Sequence, residues 1–316
     1  MDAPAVDLST ILCGVRLPNP TVLASGVLGL SHQVMARVAR AGAGGITSKS
    51  CSLKPRAGYH NPTILDWGMG LINAVGLSNP GVEVMVEELQ AARELLAPQG
   101  IPLIASIFAE TIYDFGTVAR FISPARPDLI EVNVSCPNID DRYRLMFAAD
   151  PYVASQVTRR VKLNTDIPVL VKLSPNVTDL SRIAEAVVEA GADGITAINS
   201  LGPGIILDVK TLRPLLAHVT GGLSGSAIRP IAVRCVRDIR RAVGEEVPIV
   251  ATGGVTTGRD VVEMLLVGAA AVGIGSAVAQ RGMDVFRQVN EELRAYMVEH
   301  GYGRLSDLRG KALPFV

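Results

Sequence analysis

Residues 168–200 read PVLVKLSPNVTDLSRIAEAVVEAGADGITAINS. Two short apolar runs, PVLVKLS (168–174) and GITAINS (194–200), enclose a stretch in which Leu180, Ile183, Ala184, Val187 and Val188 recur at helical spacing. That pattern predicts strand, helix, strand. Neither run alternates polar with apolar, so each strand is expected to be buried on both faces, as in a parallel sheet covered by helices.

The same rhythm extends in both directions. Six further runs are TVLAS (21–25), GGITSKS (44–50), IPLIASI (101–107), LIEVNVS (129–135), PIVATGG (248–254) and AVGIGSA (271–277). Helical patterns lie between them, among them VEVMVEELQAARELL (82–96), IAVRCVRDIRRAV (231–243) and GRDVVEMLLVGA (258–269). Eight βα units predict an α/β fold, a single (β/α)8 TIM barrel spanning 1–316 with long active-face loops. An open doubly wound sheet is the competing arrangement, but no G-x-G-x-x-G follows the first run. Two connections, 51–80 and 201–229, are longer than a barrel needs, and a third, 136–150, is rich in charge. Loops after barrel strands fall on the catalytic face, where the charged one could act as a lid.

Composition narrows the function classes. The chain has 316 residues, 48% hydrophobic and 19% charged, which excludes a disordered chain. Thirty basic and thirty acidic residues cancel, so there is no basic field for nucleic acid. The N-terminus has no basic segment before an apolar run, and the stretch 267–279 is too short and too Gly-rich to span a bilayer. Cys13, Cys51, Cys136 and Cys235 show no C-x-x-C spacing, so no metal or cluster is expected on this chain alone. A cytoplasmic protein with free thiols is the expectation.

Polar residues at the strand ends carry the chemistry. Two of only six lysines, Lys49 and Lys172, sit in or just after predicted strands. A buried ammonium needs an anionic or polar partner, so Lys172 either serves a ligand or pairs with a neighbouring carboxylate. Gly253-Gly254 and Gly275-Ser276 follow the seventh and eighth strands, where barrels hold phosphate groups on bare backbone N–H. Asn73, Asn133, Asn138 and Asn199 are spread over the strand-end loops. A set of uncharged donor–acceptor side chains suits a planar ligand with alternating N–H and C=O groups. Asn79, in Ser78-Asn79-Pro80-Gly81, reads as turn chemistry. Cys136 opens a polar loop; Cys13 and Cys235 read as structural, and Cys51 is open between the two. No His joins Cys136 in a triad pattern, which disfavours a Cys–His hydrolase but leaves a proton-transfer base.

These residues fall within motifs: NVSCPN (133–138), NAVGLSNPG (73–81), VKLSPNVTDL (171–180), TGGLSGSAIRPIAVR (220–234) and ATGGVTTGRD (251–260). With them the chain resembles the class 1 dihydroorotate dehydrogenases, soluble flavin enzymes of pyrimidine biosynthesis, from LPNPTVLASG to AVGIGSA. The Cys in NVSCPN matches class 1, since the membrane-associated class has Ser there. SPNVTDL and GGLSG resemble the B-type, whose catalytic subunit pairs with an iron–sulfur flavoprotein and passes electrons to NAD. The resemblance implies FMN over the barrel mouth, with Gly225, Gly253, Gly254, Gly275 and Ser276 at its phosphate and Ser25, Lys49, Ser50, Ser106, Asn133, Lys172 and Ile198 along the flavin. It implies dihydroorotate or orotate against Lys49, the segment Asn73, Ala74, Val75, Gly76 and Leu77, and Asn133, Asn138, Asn199 and Ser200. Cys136 would be the base, Lys172 would stabilise the reduced flavin, and the core would be a homodimer.

There are departures from the B-type pattern. IDDRYRLMFAADP (139–151) replaces a Lys/Gly-rich stretch leading into Phe-Gly-x-Asp-Pro, Ser200 replaces Thr, and Gly202-Pro203-Gly204 resembles archaeal members. A fumarate-reducing relative, a dihydropyrimidine dehydrogenase-like flavoenzyme, a Schiff-base lyase on Lys172 and a non-catalytic FMN- or partner-binding barrel remain the competing possibilities.

Overall fold

The computed structural model describes residues 6–134 and 147–316. Eight parallel strands close into a barrel in chain order: β1 (Thr21–Leu23), β2 (Gly45–Thr47), β3 (Leu103–Ile107), β4 (Leu129–Asn133), β5 (Val169–Leu173), β6 (Gly194–Ala197), β7 (Ile249–Thr252) and β8 (Ala271–Ile274). Each lies inside one of the eight apolar runs. Every residue of β3, β4 and β5 is buried, as strands covered on both faces require.

The helices of the outer ring are α1 (His32–Arg40), α2 (Val82–Leu96), α3 (Ile112–Ile122), α4 (Pro151–Lys162), α5 (Leu180–Glu189), α6 (Arg229–Val243), α7 (Gly258–Leu266), α8 (Ala277–Arg281) and α9 (Val285–Glu299). In α5 the Asp179 carboxylate accepts from the Ser181 and Arg182 N–H groups at 3.1 and 3.3 Å and fixes the start. Leu180, Ile183, Ala184 and Val187 then face the barrel, buried. Each of the larger three contributes roughly 1.5–3 kcal/mol.

Two features were not foreseen. The long connections are not plain loops. They supply strands Ile64–Asp66, Leu71–Asn73, Leu201–Gly204 and Gly221–Ser224, which join in one antiparallel sheet above the barrel mouth. The other end is capped by a hairpin, Thr10–Leu12 with Val15–Leu17. Its two-residue turn places Cys13 and Gly14 at φ 49° and 81°, the paired positive values that match strand twist. Leu12 and Leu17, fully buried, pack there on Val22, Ile104, Leu129, Leu170, Val250 and Ala271.

Among the described residues no helix is long and apolar enough to cross a membrane. No group of three or more His, Cys, Asp or Glu side chains among them is placed to hold a metal ion.

Candidate active site

A cavity of about 370 Å³ opens at the C-terminal ends of the barrel strands, within the ordinary size of small-molecule sites. Its floor is polar because several strands end in hydroxyl, amide or ammonium groups. Its roof comes from the antiparallel sheet, through Ile64, Leu71, Asn73 and Ser224.

Strand register brings the floor together. Ser106 stands beside Glu131 across β3 and β4, and Asn133 beside Lys172 across β4 and β5. Ser106 Oγ donates to Glu131 Oε1 at 3.1 Å, and Lys172 Nζ lies 3.7 Å from the same oxygen. Ser106 and Ser50 hydroxyls are 2.8 Å apart, and Ser50 and Ser25 3.1 Å. Asn133 Nδ2 donates to Ser50 Oγ (3.4 Å), Asn199 Nδ2 to Asn133 Oδ1 (3.3 Å) and the Ser200 N–H to Asn199 Oδ1 (2.8 Å). One hydrogen-bonded chain thus crosses the floor. Side chains locked to each other in this way present fixed donors and acceptors to a ligand.

The residues singled out from sequence fall as follows. Ser25, Lys49, Ser50, Asn73, Val75, Gly76, Leu77, Asn133, Lys172, Ile198, Asn199, Ser200, Gly225, Gly253, Gly254, Gly275 and Ser276 line the cavity. Ser106 lies beneath it, fully buried, and supports Ser50 and Glu131. Ala74 is turned into a small cluster with Ile72 and Leu216, off the cavity wall. Cys136 and Asn138 lie outside the described residues. Lys172 lines the cavity and faces a carboxylate. That carboxylate, Glu131, was missed. The available signal was a charged residue within an apolar strand run.

The remaining polar residues take structural roles. Asn79 accepts from the Gly81 N–H at 2.9 Å and donates to the Leu77 carbonyl at 2.9 Å. His32 pairs with Glu88 at 2.7 Å, and His218 stacks on Tyr59 with ring centroids 3.8 Å apart. No histidine lines the cavity.

The three described cysteines are off the cavity. Burial, with Asp193 nearby, pushes the Cys13 thiol up to about 12, and burial pushes Cys51 up to about 12. Burial also raises Cys235, in α6. At pH 8, four units lower, only about 10⁻⁴ of Cys13 or Cys51 is thiolate, the reactive form. Iodoacetamide at pH 8 is therefore expected to spare Cys13, Cys51 and Cys235 in the folded protein, leaving any adduct on Cys136. Peptide mass spectrometry checks this, and a stoichiometric adduct on a buried thiol would refute it.

A glycine-walled recess follows β7 and β8. Gly225, Gly253 and Gly254 have φ of 100°, 133° and 77°, which side-chain-bearing residues rarely adopt. A Cβ on Gly254 would lie 2.6 Å from Arg229 Cβ and 2.9 Å from the Gly225 carbonyl. Behind it Arg229 is held by Asp260 and, at 3.0 Å, by Glu263. Asp260 also accepts from the Thr256 and Thr257 N–H groups at 2.9 and 2.8 Å, which fixes the turn. The Thr252 hydroxyl, on the cavity wall, is buried without a hydrogen-bond partner. Bare backbone in a braced turn and an unmatched hydroxyl suit a phosphorylated cofactor.

Similarity to known proteins identifies the family. The family model for dihydroorotate dehydrogenase matches residues 7–297. A protein of Methanothermobacter thermautotrophicus is 43% identical over 305 residues, 96% of this chain and 98% of its own. One from Methanocaldococcus jannaschii is 40% identical over 292 residues, covering 92% and 94%. One from Pyrococcus abyssi is 40% identical over 306 residues, covering 97% and 99%. Each is described as the catalytic subunit of dihydroorotate dehydrogenase B (NAD(+)). With an eight-stranded barrel, a matching family model and near full-length relatives, the chain belongs to the dihydroorotate dehydrogenase family and is an oxidoreductase of pyrimidine biosynthesis.

Proposed function

We propose that the chain oxidises (S)-dihydroorotate to orotate in UMP biosynthesis, with FMN held across the barrel mouth. What supports this is the single cavity in which Lys49, Lys172, Asn73, Asn133 and Asn199 meet, in a chain of this family. FMN, when bound, supplies the hydride acceptor. Gly225, Gly253, Gly254, Gly275 and Ser276 would hold its phosphate, and the Thr252 hydroxyl has a partner still to find.

The chain's own groups do the rest. Lys49 is a point charge suited to the substrate carboxylate. Asn73, Asn133, Asn138 and Asn199 offer donors and acceptors to the ring amides. Cys136 takes the proton from C5 while hydride leaves C6; a thiol near pKa 8.5 is a workable base at neutral to alkaline pH. Lys172, buried at 6% exposure, favours negative charge beside it.

The relatives' description as a catalytic subunit extends here as a proposal. Electrons pass to NAD through a partner subunit; the resemblance drawn from the sequence motifs adds that this subunit is an iron–sulfur flavoprotein, on a homodimeric core, in the cytoplasm. Family membership leaves the lyase reading of Lys172 without support.

The visible spectrum before and after anaerobic dihydroorotate tests the proposal. A yellow protein that bleaches is expected, with NAD inert until the partner is added. Bleaching by dihydrouracil instead would shift the substrate, and a colourless protein that takes up no FMN would overturn the assignment.

The recess gives a further prediction. Gly254→Ala puts a side chain at φ 77° and against Arg229 and Gly225. The left-handed backbone costs roughly 1–2 kcal/mol and the crowding a similar amount, in the FMN-free chain as well. Relieving that strain shifts the Gly253-Gly254 backbone that would face the phosphate, so at least tenfold weaker FMN binding than wild type is expected by fluorescence titration. Unchanged affinity would move the phosphate elsewhere.

A further inference from the structure

Glu131 has no part in the chemistry above. Among the described residues two acidic side chains are buried, Asp260 and Glu131. Asp260 caps α7 and holds Arg229. Glu131 caps nothing. It stands at 3% exposure inside β4, where every neighbour along the strand except Asn133 is apolar. An isolated carboxylate there would be costly, and its compensation is Lys172.

The geometry of the pair is specific. At 3.7 Å the ammonium is within ion-pair range of Glu131 Oε1 but beyond hydrogen-bond length. Its three donors stay available to the cavity it lines. The carboxylate is fixed from the other side by the Ser106 hydroxyl, which continues through Ser50 to Ser25. The cation is therefore tethered by charge and left open by geometry.

Building on the FMN assignment, we propose that Glu131 is a positioning residue that holds Lys172 aimed into the cavity, and that its own negative charge limits how strongly the site favours reduced, anionic flavin over oxidised, neutral flavin. The same carboxylate subtracts from the positive field that a ligand beside Lys172 meets.

Glu131→Gln is the test, because glutamine keeps the shape and an acceptor for Ser106 while deleting the charge. The readouts are FMN affinity and the midpoint potential of the bound cofactor at pH 7, not turnover. The affinity ratio of reduced to oxidised FMN is expected to rise about tenfold, or about +30 mV for a two-electron couple. A second variant, Glu131→Asp, withdraws the carboxylate by one methylene and is expected to raise the ratio about threefold. It decides the matter if the glutamine variant does not fold. A ratio unchanged or lowered in the folded variants, as a packing role would give, overturns the inference alone. A wild-type chain that takes up no FMN overturns the assignment beneath it.

Discussion

Cys136→Ala is expected to cut dihydroorotate turnover by about 10³-fold while the protein stays yellow, from the loss of a positioned base. The described cavity explains why so much depends on one thiol. Its polar wall consists of lysines, amides, hydroxyls and backbone, and no histidine or carboxylate lines it. Glu131 lies behind Lys172 and is engaged with it and with Ser106. The ammonium groups only donate and the amides do not titrate, so the described lining has no ready proton acceptor. The proposed acceptor is Cys136, in a segment that also carries Asp140, Asp141 and Tyr143. Single-turnover bleaching of the enzyme-bound flavin separates the candidates. Slow bleaching in Cys136→Ala with normal bleaching in Asp140→Asn and Asp141→Asn supports the thiol. Turnover within tenfold of wild type in Cys136→Ala would remove it from its role.

Lys172→Met is expected to lower turnover by about 10²–10³-fold, the usual effect of deleting a preorganised charge from a water-poor site. It should also destabilise the flavin-free protein by about 3 kcal/mol or more, because Glu131 is left buried and unpaired. The two losses have different cures. Adding Glu131→Gln removes the stranded charge, so the double variant should recover most of the stability and little of the turnover. Urea denaturation and flavin bleaching follow the two effects separately. A single variant as stable as wild type would mean that the pair contributes nothing to folding. Turnover within tenfold of wild type would remove Lys172 from the reaction.

The barrel was legible because its strands depend on local composition. PVLVKLS and LIEVNVS are apolar on both faces, and only a covered parallel sheet buries such runs. The helices were legible at α5 and α2 for the complementary reason, one apolar stripe per helix. The antiparallel sheet was not. Its strands are three or four residues long, one of them Leu-Gly-Pro-Gly, and Asn73 finds Gly222 across 149 positions. No pattern within either connection encodes that pairing. The site followed the same division. Lys49, Lys172 and the asparagines stood out as polar residues in apolar surroundings. Glu131 sat in the same kind of place but was absorbed into the strand around it. The fate of Cys51 depends on burial by chain distant in sequence, which spacing does not report.

The hairpin beneath the barrel has a kinetic corollary. Leu12 and Leu17 pack against the lower end, and the described cavity opens at the C-terminal ends of the strands. With FMN held there as proposed, dihydroorotate and a small oxidant would reach it from that same side, by turns. Initial-rate plots with such an oxidant should give parallel lines, the signature of a double-displacement cycle in which orotate departs before the second reactant enters.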